Sequence, residues 1–405
     1  VEIQGKIWYP KMQTIKNKED YMKQKKAVGL ETFVVLFVVF GGFGALGSIM
    51  GIGNLFNTIM NTAHDLLLNT VFFIMAISVV TGALSNLMAE FGIISLLNKL
   101  ISPFMRPIYG LPGASSLGIL STFVSDNPAI LSLAKTESFT KYFKEYQVPA
   151  LCNLGTSFGM GMILVTYMMG LGGDGIITAS LVGVLGACIG SVVSVRLMLG
   201  KTKKYYNISK EESKADHSHK ADLKNADEMR TVHGSAMERV LNAILEGGKT
   251  GVQLGLDIIP GVLCICTFVM ILTFGAPADG IYTGAAYEGI GLLPKLGDLI
   301  APVTGLMFGF KDPSNIAFPI TSLGATGAAM ALVPRMLETG AAGMNEIAVF
   351  TAMGMCWSGY LSTHISMMDA LDRRQFIKDA IVSHTIGGLC AGVAAHYIFM
   401  LISMI

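Results

Sequence analysis

The 405 residues are 52% hydrophobic and only 14% charged, with a mean hydropathy of +0.57 and a formal net charge of +1. Soluble domains carry about 25% charged residues, so a large soluble core is excluded, and a near-neutral chain has no global field to attract nucleic acid. Forty-seven glycines and 25 methionines fit a polytopic membrane protein in contact with the lipid bilayer.

Residues 1–30 form a basic, polar N-terminal segment with seven lysines between Lys6 and Lys26. The apolar stretch that follows is too long for the core of a signal peptide. It predicts an extra transmembrane helix over 31–53, whose glycines at 41, 42, 44 and 47 give a small-residue face suited to helix contact and hence to a homo-oligomer. Six further stretches, near 66–89, 147–170, 175–198, 250–274, 345–369 and 376–401, are long enough to cross about 30 Å of hydrocarbon at 1.5 Å per residue. Amphipathic pieces at 52–62, 92–104, 237–247 and 285–301 read as interfacial helices. The 199–236 segment mixes both charges without apolar periodicity and reads as a charged cytoplasmic linker, in which His217 and His219 are solvated rather than metal-bound. With the N-terminus cytoplasmic, seven spans place 26 of the 29 Lys and Arg residues inside and only Lys295, Lys311 and Arg335 outside. This asymmetry sets the orientation.

Sliding the chain by 199 residues lays Ile101, Pro103, Gly110 and Ser115 on Ile300, Pro302, Gly309 and Ser314. The same offset pairs Thr122 with Thr321, Gly155 with Gly354, and Met168-Met169 with Met367-Met368. Two repeats, 52–198 and 237–401, each with three crossings, must then have opposite orientations. Each holds a pair of short apolar arms, in hairpins 113–137 and 312–336. An arm of about ten residues spans about 15 Å as a helix, so it enters the membrane and returns. The predicted fold is therefore all-α and polytopic, with about seven transmembrane helices and two re-entrant helical hairpins in inverted-topology repeats. Interrupted segments at matching positions point to a secondary transporter.

The runs "PFMRPIYGLPGASSLGI" with "SDNPAI", and "GFKDPSNIAFPI" with "SLGATG", resemble membrane proteins carrying the nucleoside-recognition, or Gate, domain. That family includes spore-maturation membrane proteins and is distantly similar to concentrative nucleoside transporters. The resemblance covers two stretches of some thirty residues in motif and about 52–401 in paired architecture. It implies solute sites near the hairpins, which in the nucleoside transporters are rich in Gln, Glu and Asn. No acidic residue within 147–170 matches that pattern.

Candidate site residues follow from where polarity interrupts apolar sequence. Asp126 and Asn127 precede Pro128 in the first hairpin. Asn127 can cap the second arm, whereas a carboxylate within the membrane costs roughly 2.5–3.5 kcal/mol on insertion scales. Asp126 is thus the candidate for solute contact and for ion coupling, with sodium or a proton as the coupling ion. Thr122 and Ser125 flank it. The second hairpin offers Asn315, Thr321, Ser322 and Thr326, although "KDPSN" also reads as a capped helix start. Asn153, Thr156 and Ser157 share one helical face, as do Ser358, Ser362 and Thr363. Such residues line a site or knit helices together. His364 and Asp369 read as anchors at a helix end.

The six cysteines lie in apolar segments without zinc-finger spacing and read as packing residues. His64, His364, His384 and His396 are scattered. With no Walker, Rossmann or zinc signature in the required context, neither an enzyme nor a resident cofactor or metal is expected. The expected function is alternating-access transport of a small polar solute, a nucleoside or an amino acid or small peptide, in a bacterial cytoplasmic (inner) membrane. The alternative is a non-transporting Gate-domain protein acting in assembly or signalling.

Overall fold

The structure, a computed structural model, describes residues 27–126, 128–134, 137–208 and 234–404. All regular elements among these are helices. Among the described residues, six helices are long and apolar enough to cross a membrane, or seven if the bent pair Leu292–Phe308 and Pro313–Gly324, at 78°, counts as one. The chain is a multi-pass, all-helical membrane protein. It divides into two units, Val1–Ile52 and Gly53–Ile405. The first contains α1 (Leu30–Met50), apolar on all sides and ended by Gly51 at φ +80°.

The second unit opens within the first turn of α2 (Ile52–Glu90); this helix and α9 (Ala236–Thr273) run for 39 and 38 residues. Each begins with the amphipathic face seen in the sequence, but neither stops there. The pieces expected as separate interfacial helices at 52–62 and 237–247 continue into the spans behind them. In α2 no breaker separates the two, and a π turn at Leu66–Val71 absorbs the change of phase. α9 starts on a capping box, with the Ser235 hydroxyl accepting from the Glu238 N–H at 3.2 Å, and has its own π turn at Gly261–Cys266. Its glycines at 247, 251 and 255 would normally weaken a helix. Here they form a seam: a Cβ on Gly247 would strike the Gly82 backbone, one on Gly251 the Ser78 backbone, and one on Gly255 the Met75 side chain. Arg239 pairs with Glu90 at 2.6 Å to close the end of this two-helix unit.

Between these long helices the chain lays down α3 (Ile93–Tyr109), α4 (Ser115–Val124) and α5 (Pro128–Ala134). α6 (Ala150–Thr156), α7 (Gly161–Gly170) and α8 (Ile176–Tyr205) follow. After α9 come α10 (Leu292–Phe308), α11 (Ala317–Gly324), α12 (Thr326–Met330) and α13 (Val333–Glu338). α14 (Met344–Cys356), α15 (Tyr360–Ala370) and α16 (Ile377–Ile402) complete the chain. α10 lies 199 residues after α3 at both ends, and each ends on a left-handed glycine, Gly110 at φ +76° and Gly309 at φ +70°. α4 folds back on α5, and α11 on α12.

Two stretches expected as unbroken spans are broken. The 147–170 stretch unwinds between α6 and α7, with Met160 at φ +54°. The 345–369 stretch is α14 and α15, of 13 and 11 residues, separated at Gly359 with φ +66°. The α15 start at Tyr360 again lies 199 residues after the α7 start at Gly161. α8 and α16 pack closely through Gly186, Gly190, Gly387 and Ala391.

The helix expected over 285–301 begins only at Leu292, because 275–291 is a loop built around Glu288. This side chain is 7% exposed. It accepts from the Thr283 hydroxyl at 2.6 Å and from the Thr283 and Gly284 N–H groups at 3.1 and 2.9 Å. Burial pushes its carboxyl up, but those hydrogen bonds outweigh burial and hold it below the ordinary value of 4.5. A depressed carboxylate stabilises the fold above its unfolded value, and the contribution is lost as pH falls through the folded one. Hydrogen exchange of the 275–291 amides should therefore be slow at pH 7 and speed up, relative to neighbouring helices, as pH drops below about 4.5. Glu288→Gln should lose that acid-dependent step; an unchanged step would assign it elsewhere.

Candidate functional site

α4 ends at Val124, and Ser125 leaves helical geometry at φ −125°, ψ −102°. Pro128 disfavours helical backbone in the residue before it and then opens α5. The turn between the arms therefore holds Asp126 outside any helix, and it faces a cavity of about 260 Å³. α2 contributes Ser78, Ser85 and Asn86 to the wall, the hairpin Ser125 and Asp126, and α9 Thr250. Val124, Ile163 and Leu254 supply apolar surface. Asp126 is the one ionisable group among the described lining residues.

Hydrogen bonding gives this cavity a definite polarity. The Ser78 hydroxyl donates to the Ile74 carbonyl at 2.8 Å, Ser125 to Ser121 at 2.9 Å, and Thr250 to Glu246 at 3.1 Å. Ser85 lies 2.8 Å from the Thr81 carbonyl and 2.6 Å from that of Val124, which ties the hairpin tip to α2. Each hydroxyl proton is thus spent on backbone, and the oxygen lone pairs remain to accept. With the Asp126 carboxylate they make a surface that suits a cation or a solute rich in N–H and O–H donors.

Of the residues expected from the sequence, Ser125 and Asp126 meet in this cavity. Asn127 and the Ser362 side chain lie outside the described residues. The others lie elsewhere. Buried Thr122, Thr156, Ser157 and Thr321 donate to carbonyls one helical turn back, those of Gly118, Cys152, Asn153 and Ala317. Asn153 joins α6 to α8 and α16 through the Ser194 hydroxyl and the Ala380 carbonyl, both at 3.0 Å. Asn315 bonds the Ala341 carbonyl at 3.0 Å, and Thr326 the Gly354 carbonyl at 3.1 Å. Ser322 and Ser358 are buried away from the cavity wall. The second hairpin turn packs instead on α9, where Ala325 and Gly327 meet Gly261 and Ile258.

Ser78, Ser85, Asn86 and Thr250 are absent from the sequence-derived set. A signal was present in "SVVTGALSN", whose Ser78, Thr81 and Ser85 recur at helical spacing along one face. The histidines read as scattered are also regrouped: His364 and His384, on α15 and α16, have ring centroids 4.6 Å apart.

No protein-family model and no curated protein matches the chain. Solved structures of CNTnw, from the concentrative nucleoside transporter (CNT) group, do match in fold. A variant in its intermediate 1 state gives a TM-score of 0.51 at 16% identity, covering 90% of this chain and 85% of that one. A variant in the intermediate 2 state gives 0.51 at 16% identity, over 92% and 93%. CNTnw in an inward-facing substrate-bound state gives 0.50 at 16%, over 93% of each. At this identity the likeness is one of architecture, and the chain is an all-helical multi-pass membrane protein with a CNT-like fold.

Proposed function

We propose that the chain is a secondary transporter that moves a small polar solute by alternating access, with the Asp126 cavity as its binding site. The observation that carries this reading is a carboxylate held outside helical structure, at the turn of a hairpin too short to cross, on a cavity whose hydroxyls present lone pairs. Irregular backbone at membrane depth is tolerated where it is buried in protein or lines such a cavity. Two further features support it: the 199-residue correspondence of α3 with α10 and α7 with α15, and the CNT-like architecture.

In this reading 52–198 and 237–401 are inverted Gate-type repeats, the N-terminus is cytoplasmic, and the membrane is the bacterial inner membrane. Sodium or a proton couples at Asp126, and α1 brings copies together as a homo-oligomer. The acceptor-lined wall favours solutes that donate: nucleosides through sugar hydroxyls, amino acids and small peptides through an ammonium group. Purified protein should be melted with uridine, adenosine, single amino acids and dipeptides, with and without sodium, and hits tested for uptake into proteoliposomes. A transporter gives a rise in melting temperature for one class and saturable uptake of it. Folded protein that shows neither across all classes is instead a non-transporting Gate-domain protein.

A further inference from the structure

The α14–α15 break holds a second polar centre, apart from the Asp126 cavity. His364 and His384 are both fully buried, with ring centroids 4.6 Å apart. Their tautomers follow from their partners, because a carbonyl oxygen only accepts. Nδ1 of His364 lies 2.5 Å from the Tyr360 carbonyl, so it carries the proton. Nε2 of His384 faces the Cys356 carbonyl and likewise donates. Nδ1 of His384 is then the acceptor for the Ser194 hydroxyl at 2.9 Å, and Ser194 in turn accepts from the Asn153 amide at 3.0 Å. His384 is satisfied at both nitrogens. His364 is not: its Nε2 is buried with no hydrogen-bond partner among the described residues. A neutral imidazole with Nδ1–H presents a basic lone pair at that atom.

We propose that His364 and His384 form a membrane-embedded site for a single proton, taken up at Nε2 of His364. The neighbouring elements do not supply a counter-charge that would allow two. Ionisable groups deep in the packing are thiols and phenols, neither of them cationic: Cys152 on α6, Cys188 on α8, Cys356 on α14 and Cys390 on α16, with Tyr360 on α15 and Tyr109 on α3. The charged groups on these elements lie toward helix ends, including Lys295 and Asp298 in the first two turns of α10, which packs on α16. Lys201 bonds Asp379 at 2.8 Å, Arg196 bonds the Ile108 carbonyl at 2.8 Å, and Arg374 pairs with Asp369. Lys203 lies over the Tyr146 ring, and Lys204 and Lys378 are at helix termini. Glu346 caps the start of α14 at Gly343, and His396 bonds Asn345 toward the far end of α16. α11, against α15, has no ionisable residue.

His384 sits seven residues into α16, about 10 Å from its start, so a proton needs only a short path from that end. Tyr360, whose hydroxyl bonds Thr385, and Trp357, which bonds the His384 carbonyl at 3.4 Å, tie the pair to the break at Trp357–Gly359. Loading changes the charge beside a non-helical segment, and so links packing of α15 against α16 to proton concentration.

The test needs no transported solute, so it stands or falls separately from the Asp126 reading. Full-length protein with ¹⁵N-labelled histidine, in lipid nanodiscs, is titrated between pH 3.5 and 8.5 by imidazole ¹⁵N resonances. Assignment uses His364→Gln and His384→Gln, whose amides keep a donor. In the wild type the two rings should titrate as a coupled pair. One proton is taken first, and a second follows only about two pH units or more lower. With His384→Gln, His364 should titrate alone in one step. Two rings that stay neutral throughout in folded protein, or that titrate independently, overturn the proposal. The wild-type titration decides the matter even if a variant folds poorly.

Discussion

Replacing Asp126 with Asn should abolish high-affinity solute binding while leaving the yield of folded protein unchanged. The amide keeps the volume of the carboxylate and one acceptor oxygen, so the hairpin turn and the cavity of about 260 Å³ keep their shape. What disappears is the negative charge in a wall otherwise made of neutral polar groups and apolar side chains. A hydrogen bond to a charged group contributes about 1.5–3 kcal/mol, so affinity should fall by roughly 10- to 150-fold. The measurement is the dissociation constant, by calorimetry, for the solute found in the melting screen, with Ser85→Ala beside it. Ser85 holds the turn through the Val124 carbonyl, so that variant should loosen the site without removing its charge. If Asp126→Asn binds as tightly as wild type, or misfolds while the fraction that folds binds normally, Asp126 is a cap on the hairpin and the site lies elsewhere.

Asp126 and Ser125 were legible in the sequence, whereas the cavity residues on α2 and α9 were not. A carboxylate before a proline, between two apolar runs too short to cross, announces itself in one dimension. The short arms were legible on the same ground, since length against membrane thickness needs no tertiary information. Ser78, Ser85 and Thr250 are single hydroxyls in apolar helices, and most such hydroxyls bond their own backbone. Whether one also lines a cavity depends on which helix lies opposite. Asn153, Thr156 and Ser157 carried the same pattern and fall inside the helix packing instead. The breaks at Met160 and Gly359 were hidden for another reason: the segments "SFGMG" and "WSGY" are apolar enough to read through as helix, and Met160 adopts a left-handed backbone that its sequence does not advertise. His364 and His384 lie twenty residues apart on different helices. Only the packing of α15 on α16 makes them a pair.

The largest loss of stability is expected from a side chain at Gly251. Its position on the seam between α2 and α9 brings the two backbones so close that a Cβ would overlap the Ser78 carbonyl group and the Val79 nitrogen. These are main-chain atoms inside a helix, and they cannot turn aside as a side-chain end can. Gly251→Val must therefore push the helices apart, which opens the neighbouring contacts of Gly247 with Gly82 and of Gly255 with Met75. Overpacking of a well-packed interior costs about 1–3 kcal/mol, occasionally more, and here it acts on several contacts at once. Gly248 supplies the control on the same helix. A Cβ there would meet only the Val79 side chain, at an ordinary 3.6 Å, and alanine is about 1 kcal/mol better than glycine within a helix. Gly248→Ala should be neutral or slightly stabilising, whereas Gly251→Val should lower the melting temperature sharply and reduce extractable monodisperse protein. Because Gly247, Thr250 and Gly251 also line the Asp126 cavity, any Gly251→Val protein that folds should bind solute poorly. Equal melting temperatures for the two variants would mean that the seam is not held by backbone contact, and that the cavity wall beside Asp126 is set by something else.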